Sequence, residues 1–166
     1  MNARSYLVIS IAAQNLRVLR DGHCIRTFAV STSARGEGFE MGSFRTPTGS
    51  FLIAEKIGDG ELVGTIFKHR IPIGHWSPGE NPDEDLILTR ILRLEGLDEE
   101  NLNTMERCIY IHGTNREDLI GLPASHGCIR LANMDMLELF ALVEPGDAVK
   151  VISASFSDTD ATSIMC

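Results

Sequence analysis

The sequence predicts a mainly β fold with one or two helices, and three observations carry this prediction. Short runs rich in Val, Ile, Leu and Phe recur along the first half of the chain, separated by turn residues. An Asp-Gly pair at 21–22 joins two of these runs in the manner of a β-hairpin. The clearest helical spacing of apolar residues lies at 133–143.

The chain has 166 residues, which predicts a single domain, and it shows neither an internal repeat nor a linker. We expect the domain to span 1–152, followed by a loose polar tail at 153–166. A domain of this size can bury a core without metal or disulfides. The net charge of −8 argues against nucleic acid or an anionic membrane as a partner. No apolar run reaches the roughly 18 residues of a membrane span.

The first three predicted strands are 5–11, 15–20 and 24–31. A glycine-rich loop then leads into a fourth strand at 51–57. Residues 58–85 are rich in Gly and Pro, and predict long loops around one short strand at 64–68. Because long loops in compact domains are often functional, this region is also a candidate lid over an active site.

The second half of the chain continues with strands and the main helix. Residues 85–96 predict one strand or two, and the acidic start of 98–105 predicts a short helix or turn. Residues 108–113, CIYIHG, form a compact strand pattern. The helix at 133–143 is predicted to use Asn133 as its cap and to stop before Pro145-Gly146. A closing strand follows at 147–152.

The cysteines, at positions 24, 108, 128 and 166, form neither a CxxC pair nor a dense disulfide framework, which predicts reduced thiols. Residues 7–13, LVISIAA, are apolar but short for the core of a signal peptide, and they follow a single arginine. They run directly into the next strand pattern, so we expect them to form the first strand. These observations favour a cytoplasmic protein, with a periplasmic one as the alternative.

The segment LPASHGCIRL, at 122–131, places Cys128 directly after a histidine and a glycine. A nucleophilic cysteine needs a base, a group that orients the base, and donors for the oxyanion. His112, at the end of the predicted strand and sixteen positions earlier, is the candidate base. Glycines at 113 and 127 allow close approach of the backbone. If Cys128 opened a turn into the helix at Asn133, the helix dipole would also favour thiolate.

Two other interpretations of the same residues stay open at this point. Cys128 would be a buried filler and His112 a hydrogen-bonded core histidine. Alternatively His112, His126 and Cys128, with Cys108, would bind a metal, although the His-x-Cys spacing is unlike the usual zinc-ligand pairs.

Three pieces, in this order, resemble the signature of the YkuD-type L,D-transpeptidase family. They are the TPTG segment at 46–49, His112, and SHGCIR at 125–130, and the opening hairpin agrees with them. The resemblance covers roughly 4–152 and implies a sandwich-like β catalytic domain without a cofactor. It also implies a cysteine that attacks the carbonyl between meso-diaminopimelate and the terminal D-alanine of a peptidoglycan tetrapeptide. The resulting thioester passes to an amine or to water.

Carried over residue by residue, the resemblance makes Cys128 the nucleophile, His112 the general base and acid, and the Gly113 carbonyl the orienting group. It assigns the substrate and oxyanion positions to Ser125, His126, Gly127 and Arg130, with the amides of Gly127 and Cys128 as donors. Arg130 either binds a substrate carboxylate or braces the loop. The TPTG segment is either a tight turn or a substrate contact.

The resemblance, together with the expectation of a cytoplasmic protein, implies an L,D-carboxypeptidase that trims soluble muropeptide tetrapeptides during murein recycling. The alternative enzyme is an L,D-transpeptidase that forms cross-links or exchanges D-amino acids. A non-enzymatic muropeptide-binding domain is a third interpretation. The resemblance further implies that carbapenems acylate Cys128.

Overall fold

The computed structural model describes residues 3–156, so the predicted tail from 157 to 166 lies outside the described residues. Within them the chain forms ten strands, one α-helix and two short 3-10 helices. The elements are β1 (Tyr6–Ser10), β2 (Asn15–Arg20), β3 (His23–Ala29), β4 (Gly49–Ile57), β5 (Thr65–Lys68), β6 (Ile71–His75), β7 (Ile87–Gly96), β8 (Tyr110–Gly113), β9 (Ile129–Leu131), α1 (Asn133–Leu142) and β10 (Ala148–Ile152). The predicted mainly β fold with a helix near 133–143 is confirmed.

The strands form one mixed sheet in the order β3-β2-β1-β10-β4-β7-β5-β6, with β8 and then β9 branching from β7. Strand β10 runs parallel to β1 and antiparallel to β4, so it joins the N-terminal strands to the rest of the sheet. Strands β8 and β9 are also parallel to each other. This second parallel pair positions the candidate site.

One main core collects buried apolar side chains from β1 to β4, from β7 to β10 and from α1. Strand alternation explains the arrangement, because every second residue of a strand faces the same side. Ile111 of β8 and Ile129 of β9, for example, are buried in this core. Their neighbours Tyr110 and Cys128 instead meet Phe67 and Ile91 in a second, smaller cluster.

Residues 58–85 contain a strand that the sequence did not indicate. Strands β5 and β6 form a hairpin whose turn, His69-Arg70, has φ angles of 51° and 66°. Strand β6 contains Pro72, lies at the end of the sheet order and exposes every residue, so it lacks an alternating pattern. The turn reaches β8, because a guanidinium nitrogen of Arg70 donates a hydrogen bond to the Tyr110 hydroxyl at 3.0 Å.

Asn133 does not cap α1 as predicted, because the cap position is Ala132 and Asn133 is the first helical residue. The Asn133 side chain instead connects separate elements. Its Nδ2 donates to the Thr114 carbonyl and to Glu117 Oε1, both at 2.8 Å, and its Oδ1 accepts from Thr89 Oγ1 at 2.7 Å. Asparagine suits both a helix cap and a hydrogen-bonded link between elements, so the sequence alone cannot tell which of the two roles Asn133 has.

Two further findings concern the cysteines and the absence of a membrane-spanning helix within residues 3–156. Cys108 and Cys128 are free thiols. Cys166 lies outside the described residues. Over residues 3–156 the structure contains no helix that is both long and apolar enough to cross a membrane.

Candidate active site

His112 and Cys128 lie on neighbouring parallel strands. His112 of β8 is level with Arg130 of β9, and Ile111 is level with Ile129. Cys128 directly precedes β9, and the Tyr110 amide donates to its Sγ at 3.3 Å. Alternation along the two strands therefore places His112, Cys128 and Arg130 on the face opposite the main core. The sheet ladder, rather than the loop between them, fixes their spacing.

His112 is 2% exposed, and its Nδ1 lies 2.6 Å from the Gly113 carbonyl oxygen. Since a carbonyl only accepts, Nδ1 carries the proton and Nε2 is left as the basic nitrogen. Burial lowers the pKa of His112 below its ordinary value of 6.5, so the ring is neutral near pH 7. The contact expected between His112 and Gly113 is present, while their catalytic roles stay predictions.

Gly113 is required by its surroundings. A Cβ at this position would lie 2.7 Å from the Leu88 carbonyl oxygen and would collide with Asn133 Oδ1. The cross-link of Asn133 to Thr89 therefore packs directly against the residue whose carbonyl orients His112. Sequence reasoning missed this supporting role of Asn133 and Thr89.

Cys128 Sγ donates to the Cys108 carbonyl at 3.3 Å, in addition to the bond that it accepts from Tyr110. Burial raises the pKa of the Cys128 thiol to about 12. Strand β9 separates Cys128 from α1, so the expectation that a helix dipole favours thiolate is wrong. The resting site holds a neutral thiol beside a neutral imidazole, and proton transfer must accompany attack.

The turn before Cys128 is held by Ser125, which is 1% exposed. Its hydroxyl donates to the Cys128 carbonyl at 2.6 Å and accepts from the Gly127 amide at 3.2 Å. Gly127 has a φ of 120°, a conformation that favours glycine. An oxyanion role for the Gly127 amide therefore requires exchange of its bond to Ser125. The substrate and oxyanion roles of this turn stay predictions.

The TPTG segment contacts the same turn. Thr46 is 1% exposed, and its Oγ1 donates to the Gly127 carbonyl at 2.9 Å while accepting from the Ser33 amide at 3.0 Å. Thr46 is thus committed to bonds within the protein, while a substrate contact of the rest of the segment stays a prediction. Thr46 connects the loop after β3 to the turn that carries Cys128.

Asp85 joins the site, a role that the sequence did not indicate. Its Oδ1 accepts from a guanidinium nitrogen of Arg130 at 2.8 Å, and its Oδ2 lies 3.0 Å from His126 Nδ1. Arg130 is 3% exposed, whereas the His126 side chain is 64% exposed. Burial and pairing favour the bracing role of Arg130 over binding of a substrate carboxylate. No sequence signal distinguished Asp85 from its acidic neighbours.

A metal site was the other chemical interpretation of these residues. Within residues 3–156, no group of three or more His, Cys, Asp or Glu side chains is placed to hold a metal ion. The geometry described above instead suits acyl transfer, since it places a thiol and an oriented base on the same face of neighbouring strands.

Comparison with known proteins identifies the family of this chain. The sequence model of the YkuD family, described as the L,D-transpeptidase catalytic domain, matches residues 4–151. The putative L,D-transpeptidase YqjB of Bacillus subtilis strain 168 is 27% identical over 146 residues, which cover 88% of this chain and 70% of that protein.

Two solved structures share the fold. An L,D-transpeptidase from Mycobacterium smegmatis has a TM-score of 0.62 at 22% identity and covers 92% of this chain. LdtMt1, an L,D-transpeptidase solved in complex with imipenem, has a TM-score of 0.58 at 23% identity and covers 91% of it. The chain spans 60% of the length of each of these two proteins. Its match to the putative L,D-transpeptidase YkuD of Bacillus licheniformis covers 25% of that protein.

The family model thus extends from before β1 into β10 and includes the strand pair that carries His112 and Cys128. The chain belongs to the YkuD L,D-transpeptidase family.

Proposed function

We propose that the protein is an L,D-carboxypeptidase that removes the terminal D-alanine from meso-diaminopimelate-containing tetrapeptides of peptidoglycan. The observation that carries this proposal is the placement of Cys128 and His112 on one face of β8 and β9, with the Gly113 carbonyl on His112 Nδ1. Membership of the L,D-transpeptidase family supports the substrate class.

In the first half of the reaction, His112 Nε2 accepts the proton of the Cys128 thiol as Sγ attacks the scissile carbonyl carbon. The amide of Cys128 is the candidate donor to the oxyanion that forms. Collapse of the tetrahedral intermediate breaks the C–N bond, and the His112 imidazolium returns its proton to the amine of the leaving D-alanine. The Gly113 carbonyl stabilises that imidazolium in its buried position.

In the second half, His112 removes a proton from water, which attacks the thioester carbonyl. The C–S bond breaks, the tripeptide leaves with a new carboxylate, and Cys128 recovers its proton from His112. Water needs no binding surface of its own, so hydrolysis is the reaction for which the described residues suffice. The alternative is transpeptidation, in which the amine of a second peptide or of a D-amino acid replaces water.

We also propose a cytoplasmic role in murein recycling, as the thiol content and the first strand pattern led us to expect. Fractionation of native cells tests the compartment separately from the reaction. Recovery of the native protein in the periplasm would contradict the recycling role and leave the chemistry intact.

The reaction is tested by mass spectrometry of purified protein with a diaminopimelate tetrapeptide muropeptide, with and without excess D-methionine. We expect loss of one D-alanine in both conditions, abolished by Cys128→Ala and retained by the matched control Cys108→Ala. Exchange of D-alanine for D-methionine, or dimer formation, would refute hydrolysis and establish the transpeptidase alternative. If both cysteine variants keep their activity, the assignment of Cys128 as the nucleophile is refuted.

We propose in addition that carbapenems acylate Cys128, because the structurally similar LdtMt1 was solved with imipenem. Incubation with imipenem should add one adduct to the intact mass of the wild type and of Cys108→Ala. Cys128→Ala should remain unmodified. An adduct on that variant would contradict the assignment.

A further inference from the structure

A cavity of about 530 Å³ lies beside the nucleophile turn. It is lined by Arg35, Gly38, Phe39, Glu40, Ser43 and Arg45, all from the loop between β3 and β4. The catalytic assignment uses none of these side chains.

The wall of this cavity contacts the residues around Cys128. The Arg45 carbonyl oxygen lies 3.3 Å from the position that a Cβ on Gly127 would occupy. Arg107 connects the two regions, since its guanidinium donates to the carbonyls of Arg45 at 2.7 Å and Gly38 at 3.2 Å. Burial lowers the pKa of the Arg107 guanidinium. A ligand in the cavity would therefore lie next to the turn that carries Cys128.

Within the described part of the chain, the arginine side chains around the cavity form no salt bridges. Among residues 3–156, Arg35, Arg45 and Arg107 form no ion pair with a carboxylate, whereas the buried Arg130 does. Arg35 lies over the Phe44 ring, with its central carbon 5.3 Å from the ring centroid. Three unpaired guanidinium groups in one place are unexpected in a chain of net charge −8. They favour an anionic group of a ligand.

Glu40 is the acidic side chain in this lining. Two guanidinium groups and one carboxylate around one cavity complement a group that carries both a carboxylate and an ammonium. The side chain of meso-diaminopimelate ends in such a group, because its second amino-acid centre is free in the stem peptide. A lysine side chain offers the ammonium without the carboxylate.

We propose that this cavity binds the zwitterionic end of the diaminopimelate side chain. Arg35 and Arg45 bind its carboxylate, and Glu40 binds its ammonium. The inference rests on the proposed function for the identity of the substrate. It makes the loop between β3 and β4 the element that selects diaminopimelate over lysine in the acyl donor.

The test compares three tetrapeptides that carry diaminopimelate, diaminopimelate amidated on the side-chain carboxylate, or lysine. For the wild type we expect KM for the free diaminopimelate peptide to be at least tenfold lower than for either analogue. Arg35→Gln and Arg45→Gln should each reduce this preference about tenfold, as expected for loss of a charge-assisted hydrogen bond. Arg26→Gln, which lies outside the cavity, should retain the wild-type preference, and melting curves should show that all variants are folded.

Binding to Cys128→Ala, measured by calorimetry, separates the two proposals. If the wild type releases no D-alanine but Cys128→Ala binds the free peptide at least tenfold more tightly than the amidated one, the carboxypeptidase proposal fails and the cavity assignment stands. If D-alanine is released with equal KM for all three peptides, the cavity assignment fails alone. If Arg35→Gln and Arg45→Gln both keep the wild-type preference, the cavity assignment is likewise refuted. Absence of both turnover and binding refutes both.

Discussion

Thr46→Val isolates the contact between the TPTG segment and the turn that carries Cys128. Valine has nearly the volume of threonine, so the change removes one hydroxyl and leaves the packing in place. That hydroxyl accepts from the Ser33 amide and donates to the Gly127 carbonyl, and both bonds are buried. The variant therefore leaves one buried donor and one buried acceptor without partners.

A buried polar group that loses its partner costs about 1–3 kcal/mol, so two such groups cost about 4 kcal/mol together. In a domain of this size, 1 kcal/mol corresponds to a change in Tm of about 2–4 °C. We therefore expect Thr46→Val to lower Tm by about 12 °C. Because the Gly127 carbonyl precedes Cys128, we also expect kcat to fall at least tenfold in the folded variant.

The measurement is thermal unfolding followed by calorimetry, with D-alanine release assayed well below the new Tm. Thr48→Val is the matched control, since Thr48 belongs to the same segment and its side chain forms no hydrogen bond within residues 3–156. The control should change Tm by less than about 2 °C. A Tm of Thr46→Val within that range would refute the bracing role of Thr46.

Three further predictions concern the catalytic strands. Gly113→Ala should abolish D-alanine release and lower Tm, because its Cβ would lie 2.7 Å from the Leu88 carbonyl oxygen. The control Gly74→Ala, whose Cβ would have its nearest neighbour at 4.0 Å, should have a Tm near that of the wild type. Iodoacetamide at pH 8 should alkylate the exposed Cys108 faster than Cys128, whose pKa is about 12, and peptide mass spectrometry showing the reverse order would contradict the resting neutral thiol. Burial lowers the pKa of His112 below 6.5, so the unfolded chain binds this proton more readily than the folded protein does. The free energy of unfolding of the wild type should therefore decrease as pH falls below 6.5. Denaturant unfolding should show a smaller decrease for His112→Gln.

The sequence predicted those strands whose apolar pattern matches their burial. β2 was predicted at its observed bounds, because Leu16 and Val18 alternate with more exposed residues. β6 was missed because it has no buried face, and β9 because its three residues, Ile129–Leu131, are too few to show a period. Asn133 was misassigned because its partners are Thr89 and residues of the loop after β8, which no local pattern reveals.

The residues of the candidate site also fall into those that the sequence predicted and those that it did not. His112, Gly113 and Cys128 are recognisable because each lies inside a short motif. Thr46 and Asp85 act through residues about 40 to 80 positions away along the chain. Their roles depend on which loops the sheet brings together, and a threonine in a turn or an aspartate in an acidic cluster carries no mark of that.

The central place of β10 in the sheet has a consequence for synthesis of the chain. Of the ten strands described, β10 leaves the ribosome last, yet it lies between β1 and β4. Until it emerges, a nascent chain holds two separate half-sheets, each with an open edge able to pair with other chains. The catalytic strands lie in the second half-sheet and share the main core with β10. We therefore expect the sheet around His112 and Cys128 to be complete only after β10 has been translated, and chaperone protection to matter most just before that moment.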